Sequence, residues 1–177
     1  KNDYLKYMAK IEPRTLQGEL VKSFEELLIA DWLTLHGIKY EYEKNYEVNT
    51  KTATRRQYKP DFYLSEYGLY LEHFGIDRNG KTAPHIDSEK YNEGIDWKRN
   101  CHAKYQTKLI ETYSWERMEG TLTSGLKQKL SKFGVKLNKD KKNLIIKSLK
   151  DANNINEKLV SLLCDFFTLF KEGDWTL

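Results

Sequence analysis

The feature that most constrains the fold is residues 58–75, YKPDFYLSEYGLYLEHFG. Apolar and aromatic residues alternate with polar ones in two short runs, and turn residues at 66–68 separate them, so we predict a β-hairpin. Pro60 fixes its own φ and favours extended backbone before it, so Asp61 begins the first strand. Glu72 lies near the end of the second strand.

Asp61 and Glu72 lie at similar distances from the turn, so their carboxylates can face each other on one side of the hairpin. Two carboxylates that close raise each other's pKa. A hard divalent cation with oxygen ligands relieves this repulsion. The alternative is that both acids are surface residues on an edge hairpin.

The strongest helix pattern precedes the hairpin, over residues 21–37. Ser23 is placed to cap this helix with Glu26 as its capping-box partner, and Gly37 marks the C-terminal end. Glu26 therefore has two interpretations: a capping residue, or an acid that faces the hairpin. Residues 38–48 alternate apolar and charged side chains, which predicts a half-buried strand.

The remaining elements follow from periodicity and turn residues. We predict a helix over 1–11, a polar turn over 50–57, a loop over 76–90, a helix over 90–108, a short strand over 109–114 and helices from residue 123 onward. The order predicts an α/β fold with a small mixed sheet and a helical tail.

The composition bounds the protein class. Hydrophobic residues make up 39% of the 177 residues, enough for a core, and the net charge of +4 is compatible with nucleic acid or with a solvated lysine-rich surface. No apolar run approaches the roughly 20 residues of a membrane span. Two cysteines form no disulfide framework, and there is no signal-peptide pattern, so we expect a reduced, cytoplasmic protein. Because the chain opens on Lys1, we expect it to be part of a longer protein.

A helix glutamate, a strand that opens with Pro-Asp and a following strand with (D/E)-x-K form the pattern of the PD-(D/E)xK nucleases. The chain resembles this family through Glu26, Pro60-Asp61 and Glu72-His73-Phe74. It departs from the pattern at Phe74, where the family has lysine. Over about residues 15–135 it resembles the nuclease-like segment of DNA helicase IV-like, UvrD/Rep-type superfamily 1 helicases.

The resemblance implies a restriction-endonuclease-like core over residues 16–135. Residues 1–15 would be an N-terminal helical lead-in and residues 136–177 a helical C-terminal extension. The chain has no GxxxxGK[ST] motif. The implied partners are therefore DNA and the remainder of a helicase chain that carries the motor, and the implied process is DNA repair.

The family chemistry implies a site for Mg²⁺ or Mn²⁺. Asp61 and Glu72 would bind the ion, with the backbone carbonyl of His73 as a further ligand. Glu26 would bind a second ion or hold a water molecule on the first. The His73 side chain alternates with Glu72 along its strand, so we expect it to face away from the acids with a structural role.

The missing lysine would come from the next helix, as in some members of the family. Lys98 is our first choice, with Lys104 and Lys108 as alternatives. Together with Arg99 and His102, Lys98 and Lys104 share part of a helix face and would contact DNA phosphates. For His102, a helix-surface role without a phosphate contact is the alternative.

Two further groups admit a structural and a functional interpretation. Their members are the aromatic residues Tyr91, Trp97, Tyr105 and Trp115, and the lysines Lys136, Lys139, Lys141 and Lys142. We expect the aromatic residues to belong to the core more than to a base-stacking platform. The lysines form a solvated face or touch DNA phosphates.

Three functions are compatible with these residues. The first is a metal-dependent nuclease domain that hydrolyses DNA phosphodiester bonds. The second is a nuclease-fold domain that binds DNA without cutting it, which Phe74 favours. The third is a structural interaction module of the helicase, which the apolar run at 159–170 favours because an exposed stripe there needs a partner.

Overall fold

The structure is a computed structural model, and it describes residues 13–138. Its elements are α1 (Phe24–Leu35), β1 (Glu41–Tyr42), β2 (Phe62–Leu64), β3 (Leu69–Phe74), α2 (Ser88–Lys104), β4 (Lys108–Tyr113), α3 (Ser114–Met118) and α4 (Leu122–Lys132). The predicted α/β fold, a small mixed sheet flanked by helices, is confirmed. The helix predicted over 1–11 and those predicted beyond residue 138 lie outside the described residues, as does the apolar run at 159–170.

The four strands form one sheet in the order β1-β2-β3-β4. β2 and β3 are antiparallel, as the predicted hairpin requires, whereas β3 and β4 are parallel and α2 makes the connection between them. In the hairpin Phe62 pairs with Leu71. The same register, continued by one residue, sets Asp61 opposite Glu72.

Ser23 caps α1 as predicted, but the Glu26 side chain accepts from the backbone N–H of Lys22, so the reciprocal bond of the predicted capping box is not formed. The backbone N–H of Glu26 donates to Ser23 Oγ over 3.1 Å, which satisfies one of the helix's free N-terminal donors. The helix ends at Leu35, and Gly37 follows with φ of 73°, a conformation that glycine adopts without strain.

Helices cover both faces of the sheet, and β3 is buried along its whole length. On one face Leu69 and Leu71 pack into a core with residues of α1 and α4. On the opposite face Tyr70 packs with Cys101 of α2, within an aromatic cluster. Because side chains alternate along a strand, Glu72 and Phe74 share the α2 face.

Three local predictions need correction. The strand expected over 38–48 is reduced to β1, because Glu43 has a positive φ of 48° that interrupts the extended backbone. α2 begins at Ser88, two residues before the predicted start, because Asp87 caps it. The short helix α3, directly after β4, was not predicted.

Within residues 13–138, no helix is long and apolar enough to cross a membrane.

Candidate active site

Glu72 is the centre of a buried polar cluster on the α2 face of the sheet. Its side chain is 0% exposed to solvent. One carboxylate oxygen accepts a hydrogen bond of 2.6 Å from the Tyr58 hydroxyl, and the other accepts from the ammonium group of Lys98. A carboxylate at such a depth is stable only with partners of this kind.

Asp61 lies beside Glu72 across the hairpin. Its Oδ2 accepts a hydrogen bond of 2.7 Å from the backbone N–H of His73. Burial and then the charge of Glu72 hold the pKa of Asp61 well above its ordinary value, although Lys98 acts in the opposite direction. The structure thus brings the two predicted acids together, with more negative charge than one lysine offsets.

Lys98 reaches this cluster from α2, and its side chain is 30% exposed. Its ammonium nitrogen lies 5.4 Å from the ring centroid of Phe74, the residue at the family's lysine position. Burial alone would lower the pKa of Lys98, but the charges of Glu72 and Asp61 raise it above its ordinary value. The amine therefore stays charged and is directed at the acids.

The two alternative lysines are further from the acids. Lys104 ends α2 as an exposed residue, with its ammonium nitrogen 5.1 Å from the ring centroid of Tyr105. Lys108 is exposed at the start of β4 and pairs with Leu69, three residues along β3 from Glu72. Of the three lysines, Lys98 is the one that the fold brings to Glu72.

Glu26 is buried in the first turn of α1. Its Oε2 accepts a hydrogen bond of 2.6 Å from the Tyr42 hydroxyl and another of 3.1 Å from the backbone N–H of Lys22. Its charge also contributes to the raised pKa of Asp61. Glu26 thus belongs to the helix cap and to the electrostatic surroundings of the acids at once.

Tyr58 is a site residue that the sequence prediction missed. Its hydroxyl lies between Glu72 and His102, 3.1 Å from His102 Nε2. Burial, followed by the charge of Glu72, raises the pKa of Tyr58, so the hydroxyl stays protonated and donates a hydrogen bond to the carboxylate. The one feature of the sequence that could have indicated this role is the position of Tyr58, two residues before the Pro-Asp pair.

His102 lies in the interior, and this corrects the expected phosphate contact or helix-surface role. It is 2% exposed, and its Nδ1 lies 2.7 Å from Thr107 Oγ1. Burial lowers the pKa of His102 to about 4, so the ring is neutral at physiological pH. A neutral, enclosed imidazole orients Tyr58 and cannot reach a nucleic-acid backbone.

Arg99 is already paired within the protein. Its guanidinium makes two hydrogen bonds of 2.8 Å to Glu111 on β4 and a third, of 3.1 Å, to Tyr113. A phosphate contact by Arg99 therefore has to compete with Glu111. Lys104 and Lys136 are exposed, whereas Lys139, Lys141 and Lys142 lie outside the described residues.

His73 faces the opposite side of the sheet. Its Nδ1 lies 2.9 Å from Thr112 Oγ1, and its Nε2 lies 2.8 Å from Glu25 on α1. Glu25 also accepts a hydrogen bond of 2.5 Å from Ser114. Burial alone would raise the pKa of Glu25, but the hydrogen bonds from His73 and Ser114 and the charge of Arg117 hold it at about 2.

The aromatic residues divide between core and surface. Trp97 and Tyr105 are half-buried and pack on the cluster around Tyr58, and the Arg55 guanidinium lies 4.0 Å from the Trp97 ring centroid. Trp115 stacks on Tyr113 with 5.5 Å between the ring centroids. Tyr91 borders a cleft next to Lys98.

The donors present suit a hard divalent cation by chemistry and charge. Carboxylate oxygens are the ligands that Mg²⁺ and Mn²⁺ prefer, and Asp61 and Glu72 lie side by side, with the charge of Glu26 close enough to act on Asp61. Among residues 13–138, however, no group of three or more His, Cys, Asp or Glu side chains is placed so that it could hold a metal ion. Ion binding would thus require the carboxylates to exchange some of their present partners.

Comparison of the chain with protein-family models, with curated proteins and with solved structures found no match.

Proposed function

We propose that the chain is a metal-dependent nuclease domain of PD-(D/E)xK type, which hydrolyses DNA phosphodiester bonds. In this proposal the described sheet and helices form a restriction-endonuclease-like core. The domain serves a larger cytoplasmic DNA helicase in DNA repair. The observation that carries the proposal is the ammonium group of Lys98 on Glu72, beside Asp61 and the Phe74 ring.

In this proposal Asp61 and Glu72 hold Mg²⁺ or Mn²⁺, with the His73 carbonyl and Glu26 as further ligands. A bound divalent cation supplies positive charge that activates water and offsets the charge of the phosphate. The hydrogen bond from the His73 N–H fixes the Asp61 carboxylate, and the Tyr58 hydroxyl fixes that of Glu72. Both acids are thereby held in place before substrate arrives.

Lys98 takes the role of the lysine that Phe74 replaces. Its raised pKa keeps it cationic, and its partly exposed side chain can meet a phosphate oxygen. A cation at this point orients the attacking water and offsets charge that develops on the phosphate. Because the amine arrives from α2, Phe74 is free to pack beside it.

A second candidate is a domain of the same fold that binds DNA and does not cut it. Two observations favour it: Phe74 stands where the family has lysine, and both oxygens of Glu72 already have partners within the protein. In that case the Glu72–Lys98 pair is a structural ion pair. Exposed cations such as Lys104 and Arg56 then carry the contact with DNA.

The test is cleavage of labelled single- and double-stranded DNA by the full chain in Mg²⁺, in Mn²⁺ and in chelator. We expect divalent-dependent cleavage that Asp61→Asn and Glu72→Gln each reduce by at least about a hundredfold, because each removes a charged ligand. Glu119→Gln, a matched change on an exposed acid paired with Arg78, keeps the parent rate.

Cleavage at the parent rate in both Asp61→Asn and Glu72→Gln contradicts the nuclease assignment. Salt-sensitive DNA binding without cleavage in any divalent metal supports the binding-only candidate instead. RNA strands of the same sequences are assayed in parallel to define the substrate.

A further inference from the structure

A cleft of about 380 Å³ opens next to the Glu72–Lys98 pair. Its volume lies within the range of about 300–1,000 Å³ that is usual for small organic ligands. Its lining includes Phe74, Ile86, Tyr91, Gly94, Ile95 and Lys98. Apolar and aromatic groups form its walls, and the ammonium group of Lys98 marks the side that adjoins the acids.

The walls of the cleft are fixed by local contacts. The Tyr91 hydroxyl accepts a hydrogen bond of 3.0 Å from the backbone N–H of Gly75, which anchors the tyrosine ring beside the end of β3. Ile86 lines the cleft and is 41% exposed, so its side chain is accessible to a ligand there. The Asp87 carboxylate also borders the cleft, but it caps α2 and accepts from the N–H groups of Glu89 and Lys90.

Gly94 is the smallest residue in the lining of the cleft. It lies inside α2, where glycine is among the least favourable residues. A Cβ atom built at Gly94 meets nothing within 4 Å, so close packing does not require glycine there. A larger residue at this position therefore has open space for its side chain.

We propose that this cleft receives one unstacked nucleobase of a single strand, whose adjoining phosphate is bound by Lys98. The inference rests on the proposed function and names its substrate class: single-stranded or locally unpaired nucleic acid. Apolar walls with a tyrosine ring suit the faces of a base, and the Lys98 and Lys90 amines at the cleft suit its phosphates. A base within an intact duplex stays stacked and cannot enter.

The test compares binding of the full chain to three fluorescent ligands in chelator, so that no cleavage occurs. The ligands are a DNA single strand, a strand of equal length made only of abasic sites, and the matching duplex. We expect the parent to bind the normal strand about tenfold more tightly than the abasic strand, the usual scale of one base–aromatic contact. The duplex binds no better than the abasic strand.

Variants locate this preference. Gly94→Leu fills the cleft, and we expect it to lose the preference for bases while it keeps the affinity for the abasic strand. Ile86→Ser is a second change in the cleft wall, at an exposed residue where a substitution does not disturb the core. We expect it also to weaken the preference for bases, and it tests the cleft even if Gly94→Leu misfolds. Asn100→Leu is the control: it introduces a leucine at an exposed position of α2 outside the cleft, and we expect the preference for bases to be unchanged.

A base preference that survives in both Gly94→Leu and Ile86→Ser overturns the inference, as does a parent that binds both strands equally. Cleavage in Mn²⁺ is measured separately. Cleavage with an unchanged base preference in the variants overturns the cleft inference alone. A preference that the variants lose, without cleavage by the parent, supports the cleft and contradicts the nuclease.

Discussion

Two acids on opposite faces of the sheet have opposite surroundings. Glu25 meets His73, Ser114 and Arg117, and these partners hold its pKa at about 2. Asp61 accepts one hydrogen bond from a backbone N–H, and burial together with the charge of Glu72 raises its pKa. The protein thus neutralises the carboxylate that joins α1 to β3 and α3, and leaves excess negative charge where we propose a cation.

Two acids that are neighbours in sequence also have different partners. Glu25 and Glu26 are successive residues of α1, but a helix turns about 100° per residue, so their carboxylates diverge. Glu25 contacts His73, whereas Glu26 accepts a hydrogen bond from Tyr42. One turn of α1 thus places one acid on β3 and the other on β1.

The largest expected effect is on cleavage by Lys98→Met. The change removes the cation that pairs with Glu72, and we expect the rate to fall by about 10²–10³, as for loss of a single group that stabilises the transition state. Timed cleavage of a labelled strand in Mn²⁺ measures it. Lys127→Met, on an exposed residue of α4, is the control and keeps the parent rate. An active Lys98→Met enzyme would mean that another cation serves the site.

The next effect concerns stability on the compensated face. Glu25 has a pKa of about 2 in the fold against an ordinary 4.5, so its charged form stabilises the fold by about 3 kcal/mol above pH 4.5. This stabilisation is lost as the pH falls through the window from 4.5 to 2. Glu25→Gln should therefore unfold more easily at pH 7 and show a flatter dependence below pH 4.5.

Urea unfolding of the parent and of Glu25→Gln at pH 7, 4 and 3 measures this difference. Cleavage in Mn²⁺ by Glu25→Gln, at a temperature where it is folded, stays at the parent rate. Parallel pH dependences for the two proteins would show that Glu25 is not compensated as described.

A smaller effect distinguishes the two interpretations of Glu26. Glu26→Gln keeps the shape of the side chain and removes its charge, and we expect cleavage to fall about tenfold, the lower range for groups that support a metal site. Ser23→Ala removes the cap and costs about 1 kcal/mol of unfolding free energy without an effect on cleavage. If Glu26 only caps α1, Glu26→Gln cuts at the parent rate.

The smallest effect is a gain in stability by Asp61→Asn. Because its pKa is raised in the fold, Asp61 destabilises the protein increasingly as the pH rises from the ordinary pKa of 3.8 toward the raised one, and this cost remains in full at higher pH. We expect the melting temperature of the variant in chelator at pH 7 to rise by about 2–4 °C, the shift that 1 kcal/mol gives at this size. Asp96→Asn, on an exposed acid, is the control.

Added Mn²⁺ sharpens the same measurement. It should raise the melting temperature of the parent, since a ligand that binds the folded state stabilises it, and should leave Asp61→Asn unchanged. A variant that melts below the parent in chelator would contradict the view that Asp61 is under-compensated.

The parts of the fold that follow from local chemistry could be predicted from the sequence. The cap at Ser23, the end of α1 before Gly37 and the hairpin of β2 and β3 each depend on residues close together in the chain. The hairpin register, in turn, was enough to pair Asp61 with Glu72. Periodicity also gave the order of the elements, because alternation and helical spacing differ clearly in these segments.

The parts that depend on distant partners could not be predicted. The Tyr58–His102 contact joins residues 44 positions apart, so the burial of His102 was not visible in its helical spacing. Arg99 is similarly taken up by Glu111, which only the parallel β3–β4 pairing brings alongside α2. The positive φ of Glu43 could not be predicted, because glutamate is not a residue type that favours this conformation.

The parallel pairing of β3 with β4 also sets the order in which the polar cluster can assemble. A hairpin closes within about 1–10 μs, so Asp61 and Glu72 can meet early, before Lys98 is near. Lys98 is 26 residues beyond Glu72, on the helix that connects the two parallel strands. The two carboxylates therefore repel each other until α2 docks. Their negative charge favours this docking, because α2 carries Lys98, the partner of Glu72. A chain still emerging from the ribosome therefore carries both acids before it carries the lysine that pairs with Glu72 in the fold.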